Sequence, residues 1–159
     1  MKHELVTEIE IEAKPQQVWS ELVDLEAWSE WNPFIIESSG VAEVGAKLIN
    51  RMQVPETRAM TFKPTVTEVR EAHSFEWLGH LGIPGLFDGR HRFELHETEC
   101  GTTLVQSEEF SGILVRFVRR SLYDNTTRGF GAMNEALKAR VERPSRAAAE
   151  PLSRGTGCV

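Results

Sequence analysis

The amino-terminal residues alternate between two kinds of side chain. On an extended chain the odd positions form an apolar face and the even positions a mostly acidic one: Leu5, Thr7, Ile9, Ile11 against Val6, Glu8, Glu10, Glu12. A period of two residues predicts a β-strand. Pro15 then opens a short helix, because proline is tolerated in a first helical turn. A second short helix is predicted over Leu25–Trp31, ending before Pro33.

Six more runs with strand-like alternation follow, separated by turn signals rich in Gly and Pro. They are Phe34–Ser38, Ala46–Val54, Arg58–Arg70, Ser74–Leu81, Gly89–Glu97 and Thr102–Ser111. Pro64, inside the third run, indicates an edge position or a bulge, because proline cannot donate to a β-ladder. The inward face of the last run is ambiguous, because Leu104 and Phe110 share a face with Gln106 and Glu108.

The segment Gly112–Glu142 carries the longest periodic pattern. Its apolar residues recur at spacings of three and four and form one stripe, which predicts a long helix. The middle of this helix, Asp124–Gly129, consists largely of poor helix formers. Two interpretations remain open for that stretch. It is either a solvated or bent turn of a packed helix, or a patch of small and polar residues that faces a cavity.

The order of these elements predicts an α+β architecture. Consecutive strands joined by short turns favour an antiparallel sheet. We therefore expect a seven-stranded, strongly curved sheet wrapped around the long C-terminal helix, with two short helices after the first strand. Residues 1–143 form one domain in this prediction. Residues 144–159 are rich in Pro, Ser, Ala and Arg without periodicity, which predicts a disordered tail.

Charge and composition narrow the possible partners and location. The 159 residues include 18 basic and 24 acidic side chains, a formal net charge of −6. An acidic domain disfavours nucleic-acid binding, which needs a basic surface. No secretory signal and no apolar run of about 18–20 residues is present. These observations predict a cytoplasmic protein without a membrane span, and they leave its oligomeric state open.

Several local motifs resemble the START-like, or SRPBCC, superfamily, and most closely its polyketide cyclase/dehydrase-like subgroup. The motifs cover about residues 3–142. They are Pro15-Gln16-Gln17-Val18-Trp19, Leu22-Val23-Asp24, Trp28-Ser29-Glu30-Trp31-Asn32-Pro33-Phe34-Ile35, Trp77-Leu78-Gly79, Gly89-Arg90-His91-Arg92-Phe93, Glu109-Phe110-Ser111-Gly112 and Gly131-Ala132-Met133-Asn134-Glu135-Ala136-Leu137-Lys138.

The resemblance implies a helix-grip fold with a deep, mostly apolar cavity between the curved sheet and the last helix. Members of the superfamily use this cavity for lipids, sterols, polyketides, hormones or aromatic compounds. Some members are cyclases or aromatases, others only carry or sense a ligand, and some are co-chaperone-like interaction modules. Fold alone does not choose among these functions.

Few side chains in the sequence offer chemistry for a reaction. His91 shares a strand face with Phe93 and Leu95, so we expect it to point inward as a core histidine, a hydrogen-bond donor or a general acid/base. Arg51 and Glu109 are secondary catalytic candidates. The five histidines show no metal-ligand spacing, and no phosphate-binding or dinucleotide motif occurs, so we predict neither a metal nor a cofactor.

The predicted ligand-binding residues are mostly apolar and come from the sheet, the second short helix, one loop and the long helix. Ordinary core packing would explain the same set. The predicted residues are Trp31, Phe34, Met52, Phe62, Trp77, Phe87, His91, Phe93, Phe110, Val118, Leu122 and Met133.

Three functional hypotheses follow. The favoured one is binding of a hydrophobic small molecule or lipid-like ligand without chemistry. The second is a cyclase/aromatase-like enzyme that uses His91 with Arg51 or Glu109 in the same cavity. The third is a protein-interaction module in which Leu86 and Phe87 form an exposed apolar patch on the loop after Gly82.

Overall fold

The computed structural model describes residues 3–53, 58–115 and 120–143. Eight strands and three helices follow one another in this part of the chain. The bounds are β1 His3–Ile11, α1 Pro15–Val23, α2 Trp28–Trp31, β2 Ile35–Ser39, β3 Ile49–Met52, β4 Met60–Phe62, β5 Thr65–Arg70, β6 Ser74–His80, β7 Asp88–Thr98, β8 Gly101–Ser111 and α3 Arg120–Val141. The predicted tail, 144–159, lies outside the described residues, and its disorder stays a prediction.

The strands form two antiparallel sheets. The larger has five strands in the order β1-β8-β7-β6-β5, and the smaller has three in the order β2-β3-β4. A β-bridge between Lys47 and Thr65 joins the two sheets. Backbone hydrogen bonds flank that bridge, from Leu48 N to Pro64 O and from Val66 N to Ala46 O, both at 2.9 Å. The α+β architecture with a large antiparallel sheet and a C-terminal helix is therefore confirmed.

The predicted count of seven strands in one sheet is wrong in detail. The run Arg58–Arg70 divides into β4 and β5, which belong to different sheets. Pro64 lies at the break, where it has no N–H to donate. Its carbonyl still accepts a hydrogen bond from Leu48. The chain therefore leaves β4 of the small sheet at Pro64 and continues as β5, at the edge of the large sheet.

One face of the large sheet is apolar and packs against α3. Cross-strand register aligns Leu5, Glu108, His91, Trp77 and Val66 in one row across the five strands. A neighbouring row aligns Thr7, Gln106, Phe93, Phe75 and Val69. Most of these side chains are buried against the helices, and this settles the ambiguous parity of β8: its even-numbered residues point inward.

The C-terminal helix is continuous from Arg120 to Val141 and runs unbroken through Asp124–Gly129. The prediction that this helix begins at Gly112 is wrong. Gly112 has a φ of +112°, which does not suit a helix. The amides of Ile113 and Leu114 donate to Gly85 and Leu86 across the adjacent loop, at 3.1 and 3.0 Å. The residues after β8 therefore turn onto that loop.

The two short helices close the other side of the core. Gln17 Oε1 accepts a hydrogen bond from the amide of Lys14 at the start of α1, at 3.0 Å. Trp28 is fully buried, and its indole N–H donates to the carbonyl of Leu22 at 3.1 Å. Arg140 of α3 contacts Glu21 of α1 and Glu30 of α2, both at 2.8 Å. These ion pairs join all three helices.

Candidate functional site

A buried histidine lies at the centre of the inward face of the large sheet. His91 is 3% exposed. Its ring stacks on Trp77 with a centroid separation of 4.6 Å and an interplanar angle of 7°. Phe130 of α3 meets the ring edge-on at 4.8 Å, and Phe93 lies at 4.6 Å. Sheet and helix therefore hold the imidazole between aromatic rings, with little room for a different orientation.

Glu108 is directly opposite His91 on the adjacent strand, and its carboxylate is hydrogen-bonded to the imidazole. The distance from Glu108 Oε2 to His91 Nδ1 is 2.6 Å. The second carboxylate oxygen lies over Gly89, where an added Cβ would overlap it. The absence of a side chain at position 89 thus makes the space in which Glu108 can bend toward His91.

Gln106 contacts the second ring nitrogen of His91, Nε2. Its Nε2 lies 3.1 Å from His91 Nε2 and 3.5 Å from the sulfur of Met133 on α3. Gln106 is fully buried. The carboxylate on Nδ1 requires an N–H there, and the Gln106 amide lies within hydrogen-bond distance of the second ring nitrogen. Glu108, His91 and Gln106 therefore form one chain of hydrogen bonds across two strands.

The predicted ligand-binding residues divide into three groups in the structure. Trp77, Phe93 and Met133 surround His91 and Gln106. Phe34 is buried against Phe130 of α3, with ring centroids 5.5 Å apart. The remaining described residues of the set are half-buried: Trp31, Met52, Phe62, Phe87 and Phe110. Val118 and the side chain of Leu122 lie outside the described part of the chain.

Two of the half-buried residues, Trp31 and Phe87, each contact another aromatic ring. Trp31 lies edge-on to Trp28 at 6.0 Å. Phe87 contacts Phe110 at 5.6 Å, so it packs onto the sheet end. The exposed aliphatic side chains of the same loop are Leu81 and Ile83, at 57% and 69%. Leu86 and Phe87, which the interaction hypothesis took as exposed, are therefore half-buried.

The two secondary catalytic candidates are not placed with His91. Arg51 is on the exposed face of β3, where it lies 3.5 Å from Glu37, while its neighbour Asn50 points inward and is fully buried. Glu109 is on the outward face of β8, because Glu108 and Phe110 take the inward positions. The structure therefore brings His91 together with Glu108 rather than with Arg51 or Glu109.

Sequence reasoning did not select Glu108, Gln106, Phe130 or Asn134 as site residues. A signal for the first two was present, since they share a strand face with Leu104 and Phe110. The polar side chains on that face left its direction ambiguous. Only the pairing of β8 with β1 and β7 assigns it.

Among the residues that the structure describes, no group of three or more His, Cys, Asp or Glu side chains is arranged to hold a metal ion. None of the helices there is long and apolar enough to cross a membrane.

Known proteins with this architecture include enzymes and proteins of undefined role. The aromatase/cyclase ZhuI from Streptomyces sp. R1128 is similar, with a TM-score of 0.77 at 16% identity over 94% of this chain and 99% of that one. A START superfamily protein from Mycobacterium smegmatis gives 0.71 at 19% identity, covering 89% and 98%. Protein SA2116 of Staphylococcus aureus, of unknown function, gives 0.68 at 15% identity, covering 89% and 94%.

These identities establish a shared fold and nothing finer. No curated protein matches the chain. A family model described as "Polyketide cyclase / dehydrase and lipid transport" matches residues 2–142, which is nearly all of the predicted domain. The chain therefore belongs to the polyketide cyclase/dehydrase and lipid transport family, and it shares the fold of a START superfamily protein.

Proposed function

We propose that the protein binds a hydrophobic small molecule or lipid-like ligand between the inward face of the large sheet and α3. The observation that carries this proposal is the chain of Glu108, His91 and Gln106 set into an aromatic wall. Ligand sites are mostly apolar, with a small number of converging polar groups. The described inward face has that composition.

Stability alone gives a weak reason for this polar chain. Removing an imidazole and a carboxylate from water is costly, and burying such a pair often stabilises a protein no better than apolar side chains of equal volume. His91 and Glu108 have side-chain exposures of only 4% and 13%. A role in orienting a ligand explains why these two polar side chains are buried, which stability does not.

Native mass spectrometry of the protein purified without denaturant tests this function. We expect a bound small molecule that is released on unfolding. Adding the extracted molecule back at about 100 times its Kd should stabilise the fold by about 2.7 kcal/mol. A protein that carries no molecule, and whose melting temperature no member of a panel of fatty acids, sterols and aromatic compounds raises, would contradict the proposal.

A cyclase/aromatase-like activity is the second candidate, and the His91–Glu108 pair favours it. A carboxylate that holds an imidazole in one tautomer supports general-base chemistry at the other ring nitrogen. Gln106 occupies that nitrogen in this structure, so a substrate would have to displace its amide. Turnover of a carbonyl-rich polyketide that is abolished in His91→Ala and reduced in Glu108→Gln would establish it. Turnover that His91→Ala leaves unchanged would exclude this assignment.

The place of action stays a prediction from the sequence. We expect the protein to act in the cytoplasm and to have no nucleic-acid partner. Fractionation of cells that express the tagged full chain checks the first expectation, and recovery mainly with membranes or outside the cell would contradict it.

A further inference from the structure

Two neighbouring loops at one end of the large sheet form an exposed apolar surface. Residues 81–87 connect β6 to β7, and residues 112–115 follow β8. We call these two segments together the apolar tip. Every residue in them is Gly, Pro, Leu, Ile, Val or Phe, so no side chain of the tip carries a charge or a hydrogen-bonding group.

Four aliphatic side chains of the tip are open to solvent. Leu81 and Ile83 are 57% and 69% exposed. Ile113 and Leu114, on the second loop, are 66% and 39% exposed. Single exposed apolar residues are normal on a soluble protein, whereas a group of them in one place marks a surface that binds a partner or a membrane.

The two loops are held together through their backbones. The amide of Ile113 donates to the carbonyl of Gly85 at 3.1 Å. The amide of Leu114 donates to the carbonyl of Leu86 at 3.0 Å. Gly112 allows this close approach, because a Cβ there would lie 2.7 Å from the Leu86 carbonyl oxygen. The exposed side chains of both loops therefore belong to one surface.

Backbone donors of the first loop also have partners within the tip or at its base. The amide of Leu81 donates to the carbonyl of Phe87 at 2.9 Å. The amide of Gly85 donates to the carboxylate of Asp88 at 2.9 Å, and this carboxylate also lies 2.6 Å from His80 Nδ1. Backbone groups that are satisfied internally can enter an apolar phase, whereas unsatisfied ones oppose it strongly.

A protein partner, including a second copy of this chain, fits the tip poorly. A standard interface buries about 800 Å² on each partner and contains about ten hydrogen bonds. Four partly exposed aliphatic side chains, each smaller than the roughly 150–250 Å² of an aromatic one, present less area than that. The tip has no Trp, Tyr or Arg, the residues that contribute most of the binding energy in protein interfaces.

We propose that the apolar tip docks the protein reversibly onto an uncharged lipid bilayer, with Leu81, Ile83, Ile113 and Leu114 inserted among the acyl chains. The formal net charge of −6 disfavours an anionic surface. The four side chains have about as many apolar carbons as one myristoyl chain, which gives marginal binding with an association constant of about 10⁴ M⁻¹. The protein therefore stays in solution where lipid is dilute. This inference does not depend on a ligand beside His91.

Co-sedimentation of the full chain with phosphatidylcholine vesicles tests the inference. We expect half of the protein to be bound at roughly 0.1–1 mM accessible lipid. Raising the NaCl concentration from about 0.05 to 0.5 M should not weaken the binding, because salt screens interactions between charges and not the burial of apolar side chains.

Substitutions in the tip identify the surface that binds. Ile83→Asp and Ile113→Asp should each weaken vesicle binding at least about tenfold, because each removes an aliphatic side chain from the lipid phase and adds a charge. Val44→Asp is the matched control. Val44 lies between β2 and β3 and is 66% exposed, like Ile113. Its variant has the same charge change outside the tip and should bind within about twofold of wild type.

Each other outcome would overturn the inference. Wild-type protein that remains unbound at about 5 mM phosphatidylcholine would do so, and so would equal losses in Val44→Asp and Ile83→Asp. Binding that requires anionic lipid and disappears in high salt would mean that charge, not the tip, holds the protein on the vesicle. A dimer in sedimentation velocity that Ile83→Asp dissociates would assign the tip to a second copy. None of these results changes the test of ligand binding beside His91.

Discussion

Glu108 reaches His91 because the position beside it on the neighbouring strand has no side chain. Gly89 of β7 lies next to the carboxylate, and a Cβ there would overlap Glu108 Oε1. Gly79 of β6 is paired directly with Gly89. Its hypothetical Cβ would lie 3.7 Å from Phe62 and from Pro64, which is ordinary contact. An added methyl group would therefore overlap a side chain at Gly89 but not at Gly79, although the two glycines are neighbours on the same face.

Gly89→Ala should break the contact between Glu108 and His91. The carboxylate is the end of a flexible side chain, so it would move away and leave the backbone in place. We expect a loss of about 1.5–3 kcal/mol in the free energy of unfolding, the usual value of a hydrogen bond to a charged group. The change should also shift the side-chain NMR resonances of His91.

Gly79→Ala is the control for that substitution. Its effect on the free energy of unfolding should be within about 1 kcal/mol, because the new methyl meets only ordinary contacts and alanine restricts the unfolded chain. His91 resonances should keep their wild-type positions. Equal effects of the two substitutions on His91 would show that Gly89 has no special relation to Glu108.

At the scale of elements, α3 contacts the segment between α2 and β2 at a helix position that has no side chain. A Cβ at Gly129 would overlap the ring of Phe34, which is 2% exposed and lies edge-on to Phe130. Gly129 is one of the poor helix formers in the middle of α3, and the ring of Phe34 fills the space that a side chain would need. Gly129 therefore faces neither water nor open space.

Gly129→Ala should destabilise the protein by about 1–3 kcal/mol, the usual cost of overpacking a filled core. Phe34 cannot move aside easily, because its ring packs against Phe130 and its backbone amide donates to the side-chain Oδ1 of Asn32. Urea denaturation measures the change.

Gly131→Ala serves as the comparison on the same helix, since its added Cβ would have nothing within 4 Å. It should stabilise by up to about 1 kcal/mol, the difference in helix propensity between glycine and alanine. Destabilisation by Gly131→Ala of the same size as by Gly129→Ala would mean that helix propensity, and not the contact with Phe34, governs this segment.

Periodicity predicted the elements well where one face was uniformly apolar. β1, β7 and the body of α3 are of this kind. It failed where a backbone feature outweighed the pattern, as at Pro64, which divides one predicted strand between two sheets, and at Gly112, whose positive φ precludes a helix start. Neighbouring strands and loops decide such positions, and their arrangement is not visible in a local pattern.

At the scale of the whole molecule, the outward face of the large sheet is held by a network of charges. Glu76 is 6% exposed and accepts from Thr67 at 2.7 Å, from Arg90 at 2.5 Å and from Arg92 at 3.3 Å. Burial by itself raises the pKa of this carboxyl. The hydrogen bonds from Thr67 and Arg90 and the charges of both arginines outweigh that effect, so the pKa of Glu76 is below its usual value.

Glu76 should therefore make the protein sensitive to acid. A carboxyl whose pKa is lower in the folded state contributes stability above its unfolded pKa, about 4.3, and that contribution is lost as the pH falls through the folded value. We expect Glu76→Gln to be less stable than wild type at pH 7 and to lose less stability below about pH 4.5. Exposed Glu43→Gln provides the control. Parallel losses in wild type and Glu76→Gln would contradict the assignment.

The candidate site could be predicted from sequence only in part. His91 could be selected because Phe93 and Leu95 share its strand face. Its partner could not, because Glu108 is 17 residues away and only the β7–β8 register brings the two together. Gln106 likewise contacts His91 and Met133 on other elements, and Asn134 contacts Thr7. Polar residues on an inward face weaken the alternation that sequence reasoning depends on, so functional positions are the hardest to assign.

Side-chain NMR of the histidines tests most directly whether a hydrophobic ligand binds beside His91. The protein would be labelled with ¹⁵N-histidine and titrated with 2-naphthol. We predict saturable shifts of the His91 ring resonances, because the ligand ring would lie beside the imidazole, with no change at the exposed His73 and His96. His91 resonances that stay unchanged up to the solubility limit of the probe would contradict the account.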